Sequence, residues 1–165
     1  MRNAVLLVTA MSVGACTSAK SFPTNTPVRT AYQYIEYAET THREELKELT
    51  GVDPVRTEWC AAFVNSVLEE SEIPSNNDHK YPLTARAFLD WGYVVLSDEI
   101  QSGDVVVFPR GRQGWQGHVG FYVKTVHLND IEYYAILGGN QSNKVSIELY
   151  PASKALGIRR DTPTF

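Results

Sequence analysis

Cysteine is scarce in this 165-residue chain, which has two, Cys16 and Cys60. Dense basic runs are missing as well: Lys and Arg total 15 against 19 Asp and Glu, for a formal net charge of -4. That balance argues against a nucleic-acid partner held through phosphate neutralisation. No stretch approaches the roughly 20 apolar residues that span a bilayer, so a polytopic membrane protein is excluded. The chain also lacks HExxH, CxxC or a His/Asp cluster with metal-ligand spacing, a P-loop and a GxSxG elbow. Zinc, nucleotide and serine-hydrolase chemistry therefore find no support, and neither a metal nor a cofactor is expected.

What the chain does have fits one domain of ordinary size, with 43% hydrophobic, 21% charged and 11% aromatic residues. Its first residues look like a targeting segment. Met1 and Arg2 precede an apolar run from Ala4 to Val13, interrupted by Thr9 and Ser12 and ending in Val13, Gly14, Ala15 and Cys16. This run has signal-peptide length. Two small residues before a cysteine resemble a bacterial lipobox, so residues 1–15 are expected to be a lipoprotein signal peptide and Cys16 a lipidated N-terminus that anchors the protein to a membrane. A plain signal peptide cleaved near Ala15 is the alternative. Residues 16–30, rich in Thr, Ser, Pro and Asn, read as a flexible tether, and residues 31–165 as the domain. With Cys16 lipidated, Cys60 has no partner for an intramolecular disulfide, and an unpaired cysteine in an exported protein points to a reactive thiol.

Apolar side chains at Tyr34, Ile35, Ala38, Leu46 and Leu49 predict a helix over 31–49, or two short helices with a break around Thr40 to Glu44. Gly51 and Pro54 end this region, and Thr57 is a plausible cap for a helix whose Cys60, Phe63, Val64, Val67 and Leu68 form a one-face stripe. A short helix is expected near Thr84 to Trp91. Strands follow at 93–96, 104–108, 119–126, 131–137 and 145–149. Helices first and strands afterwards predict an α+β domain, with N-terminal helices packed on an antiparallel β-sheet.

With Thr57 as the cap, Cys60 sits at the third helical position, where unpaired N–H groups and the helix dipole favour the thiolate. It could equally be a small core residue. His118 alternates with Val119, Phe121 and Val123, so His118, Gly120 and Tyr122 share the opposite face. A three-residue loop over Leu128 to Asp130 pairs His118 with Asn140, whereas a two-residue loop at Asn129 and Asp130 pairs it with Gln141. Either register sets an amide beside the imidazole, which holds one ring nitrogen and leaves the other as a base. Between Pro109 and Gly117, Arg110, Arg112 and Trp115 could rim a groove, Trp115 stacking on substrate and the arginines binding carboxylates. Trp59 reads as a substrate contact or as a helix-packing residue.

The blocks Glu58-Trp59-Cys60-Ala61-Ala62-Phe63-Val64, Gly103-Asp104-Val105-Val106-Val107-Phe108, Gly117-His118-Val119-Gly120-Phe121 and Gly138-Gly139-Asn140-Gln141 come in an order that resembles the papain-like cell-wall hydrolases of the CHAP and NlpC-type families. The resemblance implies a papain-like fold, Cys60 as nucleophile, His118 as base and Asn140 as the residue orienting the histidine. It also implies a peptidoglycan substrate, cut as an N-acetylmuramoyl-L-alanine amidase or an endopeptidase. The expected protein is thus an exported, lipid-anchored monomer facing the cell wall or periplasm. A catalytically silent lipoprotein that binds wall peptides and a papain-like acyltransferase are the competing readings.

Overall fold

The computed structural model describes residues 27–162; Cys16 and the expected signal peptide lie outside them. The chain builds helices α1 (Pro27–Tyr32), α2 (Arg43–Thr50) and α3 (Cys60–Glu70), then strands β1 (Tyr93–Val94), β2 (Val105–Pro109), β3 (Gly117–Leu128), β4 (Ile131–Gln141), β5 (Lys144–Pro151) and β6 (Gly157–Arg160). The strands form one sheet in the order β1-β6-β2-β3-β4-β5, with every pairing antiparallel. This is the expected α+β segregation, helices first. Two short helices replace a continuous one over 31–49, and the 84–91 helix is a 3-10 segment, Ala85–Asp90. The last strand, β6, escaped the sequence pattern. Helix α1 begins inside the expected tether, because Pro27 is buried and packs against Gly103.

One face of the sheet receives α3. Phe63, Val64, Val67 and Leu68 of the predicted stripe pack with Val105, Val107, Val119, Phe121 and Leu137. The other face has its own smaller cluster, in which Phe108, Tyr122, Tyr134, Ile136 and Ile158 meet Tyr150. Both faces of β2 and β3 are therefore buried, which explains the unbroken apolar run at 105–108.

The β3–β4 hairpin turns on two residues, Asn129 and Asp130, both with positive φ, and pairs Leu128 with Ile131. A three-residue loop is not formed. A bulge at Val123 then shifts the register, so that Tyr122 pairs with Ile136 and Phe121 with Leu137. Further along, β4 is irregular again between Gly138 and Gln141, where Asn140 takes a left-handed φ of 55°. Glycines permit this close approach: a Cβ on Gly120 would stand 2.6 Å from Ile136 Cγ2, and one on Gly139 2.5 Å from the Trp59 ring.

The GDVVVF block is tied down at its acid. Buried Asp104 accepts from Arg160 Nε at 2.6 Å and Nη2 at 2.8 Å, and from the Gln101 backbone N–H at 2.8 Å. This fork joins the start of β2 to the end of β6. Asp104→Ala takes the carboxylate from a half-buried guanidinium, which keeps only the Glu99 carbonyl and the Tyr93 hydroxyl, and leaves a backbone donor unpaired; it is expected to cost about 3 kcal/mol of stability. Urea unfolding of the variant measures it, and a loss below about 1 kcal/mol would show that water replaces the carboxylate.

Candidate active site

Cys60 is the first residue of α3, with Trp59 at the cap position. It therefore stands at the helix entrance and not two residues further in. The thiol is free and buried, and the backbone N–H groups of Val119 and Ala61 hydrogen-bond to it. Burial pushes the thiol up from its ordinary value, against the pull of nearby Arg110 and of those two N–H groups; Glu58 adds to the rise. The expectation of a thiolate at rest is thus corrected: desolvation outweighs the helix terminus.

Val119 follows His118 in β3, so its contact with Sγ sets Cys60 alongside the His118–Val119 peptide. His118 is 1% exposed. Its ring stacks on Tyr150 at 5.3 Å between centroids, and Tyr150 stacks in turn on Phe108 at 4.7 Å. Nε2 of His118 lies 2.9 Å from Gln141 Oε1. The amide is oriented by its other end, since Gln141 Nε2 donates to the carbonyls of Ser146 at 2.6 Å and Ile136 at 3.2 Å. Oε1 can only accept, which puts the imidazole proton on Nε2 and leaves Nδ1 unprotonated. A base-competent tautomer is thereby fixed.

The assignment of Asn140 as the orienting amide is corrected by this geometry. Asn140 Nδ2 donates instead to Glu58 Oε2 at 2.6 Å. The left-handed turn of the backbone at Asn140 sends its side chain toward the α3 entrance and gives the imidazole to the next residue, Gln141. Gly138 gives the same contact room, since a Cβ there would stand 3.4 Å from His118 Nε2 and 3.3 Å from Gln141 Oε1, so the amide would have to give a little.

Outside this buried relay runs a groove of about 370 Å³, lined among others by Glu58, Cys60, Leu83, Arg110, Trp115 and Gly117. Trp115 is 67% exposed, as a stacking platform requires. Arg112 is not among the lining residues and sits on an exposed loop whose backbone is pinned by Gln116 Oε1. Trp59, expected as a substrate contact, is wholly buried against Phe63 and Gly139 and is a packing residue. Arg110 is the arginine that enters the site: its Nη1 is 3.5 Å from His118 Nδ1 and its Nη2 donates to the Asn140 carbonyl at 3.1 Å. Gln141 is the amide that the two-residue turn offers from spacing, whereas the Arg110–Glu58 pair does not stand out. Among the described residues no three His, Cys, Asp or Glu side chains gather as metal ligands.

Burial lowers the His118 pKa from 6.5 to about 4, helped by Arg110 and opposed by the bond to Gln141. The folded state thus prefers neutral imidazole, while the unfolded chain takes up a proton below 6.5. Stability is complete above that value and falls as pH drops toward about 4, by roughly 3 kcal/mol in all from this group. Unfolding titrations between pH 7 and 4 should show the decline in wild type and a shallower one in His118→Gln. Equal slopes would place His118 in contact with water.

A family model for the CHAP domain matches residues 52–140, which include Cys60, His118 and Asn140. No curated protein matches the chain. Among solved structures, an NlpC/P60 family protein from Bacillus cereus ATCC 10987 is similar, with 17% identity and a TM-score of 0.41 over 63% of this chain and 32% of that one. The chain thus spans about a third of that protein's length. With the match extending over more than half of its residues, the chain belongs to the CHAP domain family.

Proposed function

We propose that this protein hydrolyses an amide bond in the peptide part of peptidoglycan, with Cys60 as nucleophile, His118 as general base and Gln141 orienting the imidazole. The observation that carries the reading is the His118 tautomer: Gln141 holds Nε2–H, and Nδ1 lies on the side of Arg110, which lines the groove together with Cys60. Because the resting thiol is protonated, attack begins with proton transfer. His118 Nδ1 takes the Cys60 proton as Sγ bonds to the carbonyl carbon, and the proton then passes to the leaving amine. Backbone N–H groups at the start of α3 are the donors for the oxyanion. Water, activated by the same imidazole, hydrolyses the thioester and restores the thiol. Trp115 and the groove around it receive the flanking substrate.

The bond is either the N-acetylmuramoyl-L-alanine amide or one within the stem peptide. A lipid at Cys16 would hold the monomer at the membrane, facing the wall or periplasm. Digestion of purified peptidoglycan by the full-length chain, with mass spectrometry of soluble products, tests the reading. New L-alanine amino termini identify an amidase, and termini further along the stem identify an endopeptidase. Binding to peptidoglycan without release of fragments would contradict hydrolysis and favour a silent binding protein; transfer of a peptide acyl group to an added amine without hydrolysis would favour an acyltransferase.

A further inference from the structure

Two of the residues lining the groove beside Cys60 are charged, Arg110 and Glu58, and they are of opposite sign. Arg110 Nη1 and Glu58 Oε2 are 3.8 Å apart, with the side chains 41% and 79% exposed. So open a pair contributes little, and another carboxylate can take the place of Glu58. The remaining acceptors of the guanidinium are neutral, the Asn140 carbonyl at 3.1 Å and His118 Nδ1 at a long 3.5 Å. Five N–H donors in a planar fork suit a carboxylate better than either.

Arg110 also bears on the chemistry. His118 Nδ1 must accept the Cys60 proton, and the resting guanidinium opposes the imidazolium that results. A carboxylate bound in the groove would neutralise that charge and draw the guanidinium off the nitrogen. Binding and proton transfer then favour the same substrate group.

We propose that Arg110 is the recognition residue for a free carboxylate of the substrate, so that the enzyme selects wall peptides ionised near the scissile amide over the same peptides carrying a carboxamide there. Glu58 is the weak resting counter-ion of Arg110 and yields to that carboxylate. The inference rests on the wall-peptide reading above and deepens it by naming an anionic substrate.

The test uses the full-length chain and a set of synthetic muramyl stem peptides in which each free carboxylate is converted in turn to a carboxamide. In wild type, one of these conversions is expected to lower kcat/KM at least tenfold, with a drop in kcat as well as a rise in KM. In Arg110→Gln the same conversion should change kcat/KM by less than twofold, and in Arg110→Lys, which keeps the charge without the fork, by less than in wild type. No sensitive carboxylate, or a full effect persisting in Arg110→Gln, would overturn the proposal. Calorimetric binding to Cys60→Ala separates the two layers. Carboxylate-dependent binding that needs Arg110, in a protein whose wild type cuts none of the peptides, supports the recognition role and sinks the hydrolase; cleavage indifferent to Arg110 does the reverse.

Discussion

Cys60→Ala is expected to lower peptidoglycan hydrolysis by at least about 10³-fold while the domain stays folded. Removing the nucleophile leaves only binding and backbone donors to act on the amide. The fold should survive because Cys60 is the first residue of α3, with the packing of that helix carried by Phe63, Val64, Val67 and Leu68. Loss of one sulfur from a buried position costs about 1 kcal/mol. Circular dichroism and thermal unfolding check the fold, and fragment release checks the activity. Full activity in the folded variant would remove Cys60 from the mechanism.

Gln141→Ala should lower kcat about 100-fold, the second largest effect expected. The substitution strips the acceptor from His118 Nε2–H, which has no access to water, so neither the tautomer nor the ring angle is fixed any longer. Two carbonyls, of Ser146 and Ile136, lose a donor at the same time, and a stability loss of about 2 kcal/mol accompanies the kinetic one. A merely structural role would produce only the second effect. Gln141→Glu separates them: a carboxylate beside Nε2 stabilises the imidazolium and raises the His118 pKa above its low resting value, so the acid limb of kcat/KM moves to higher pH. Asn140→Ala breaks a contact to exposed Glu58 and strains a left-handed backbone that suits Asn, so its main cost falls on stability and its kcat should drop less than about fivefold. A larger loss in Asn140→Ala than in Gln141→Ala would return the orienting role to Asn140.

The distinction between those two neighbours shows where the sequence stops being informative. Alternation along residues 117–123 correctly separates the side chains buried against α3 from the His118 side, since that pattern follows from the pleat alone. Counting back from the hairpin offers Asn140 or Gln141, and although the two-residue turn that forms is the one that names Gln141, the strand pairing does not keep that count. The two-residue turn at Asn129 and Asp130 sets one register, the bulge at Val123 shifts it, and the irregularity at Asn140 shifts the pairing of β4 with β5. Bulges of this kind come from packing, here from glycines that admit Ile136 and Trp59, and local propensity does not reveal them. Cys60 was legible from the apolar stripe and its block, but not its protonation: the helix entrance suggests a thiolate, while the burial that reverses this comes from β3. Strand β6 went unseen because Gly157–Arg160 is short and charged and finds its place between β1 and β2, both far away in the chain.

Covalent trapping tests the central claim most directly. A stem peptide with a vinyl sulfone in place of the scissile amide bond is incubated with the full-length chain, followed by peptide mapping and assay of the remaining activity. The mechanism predicts one adduct per chain, on Cys60, with activity lost in proportion and no adduct in Cys60→Ala. Labelling of another residue, or full activity in chains alkylated at Cys60, would contradict it.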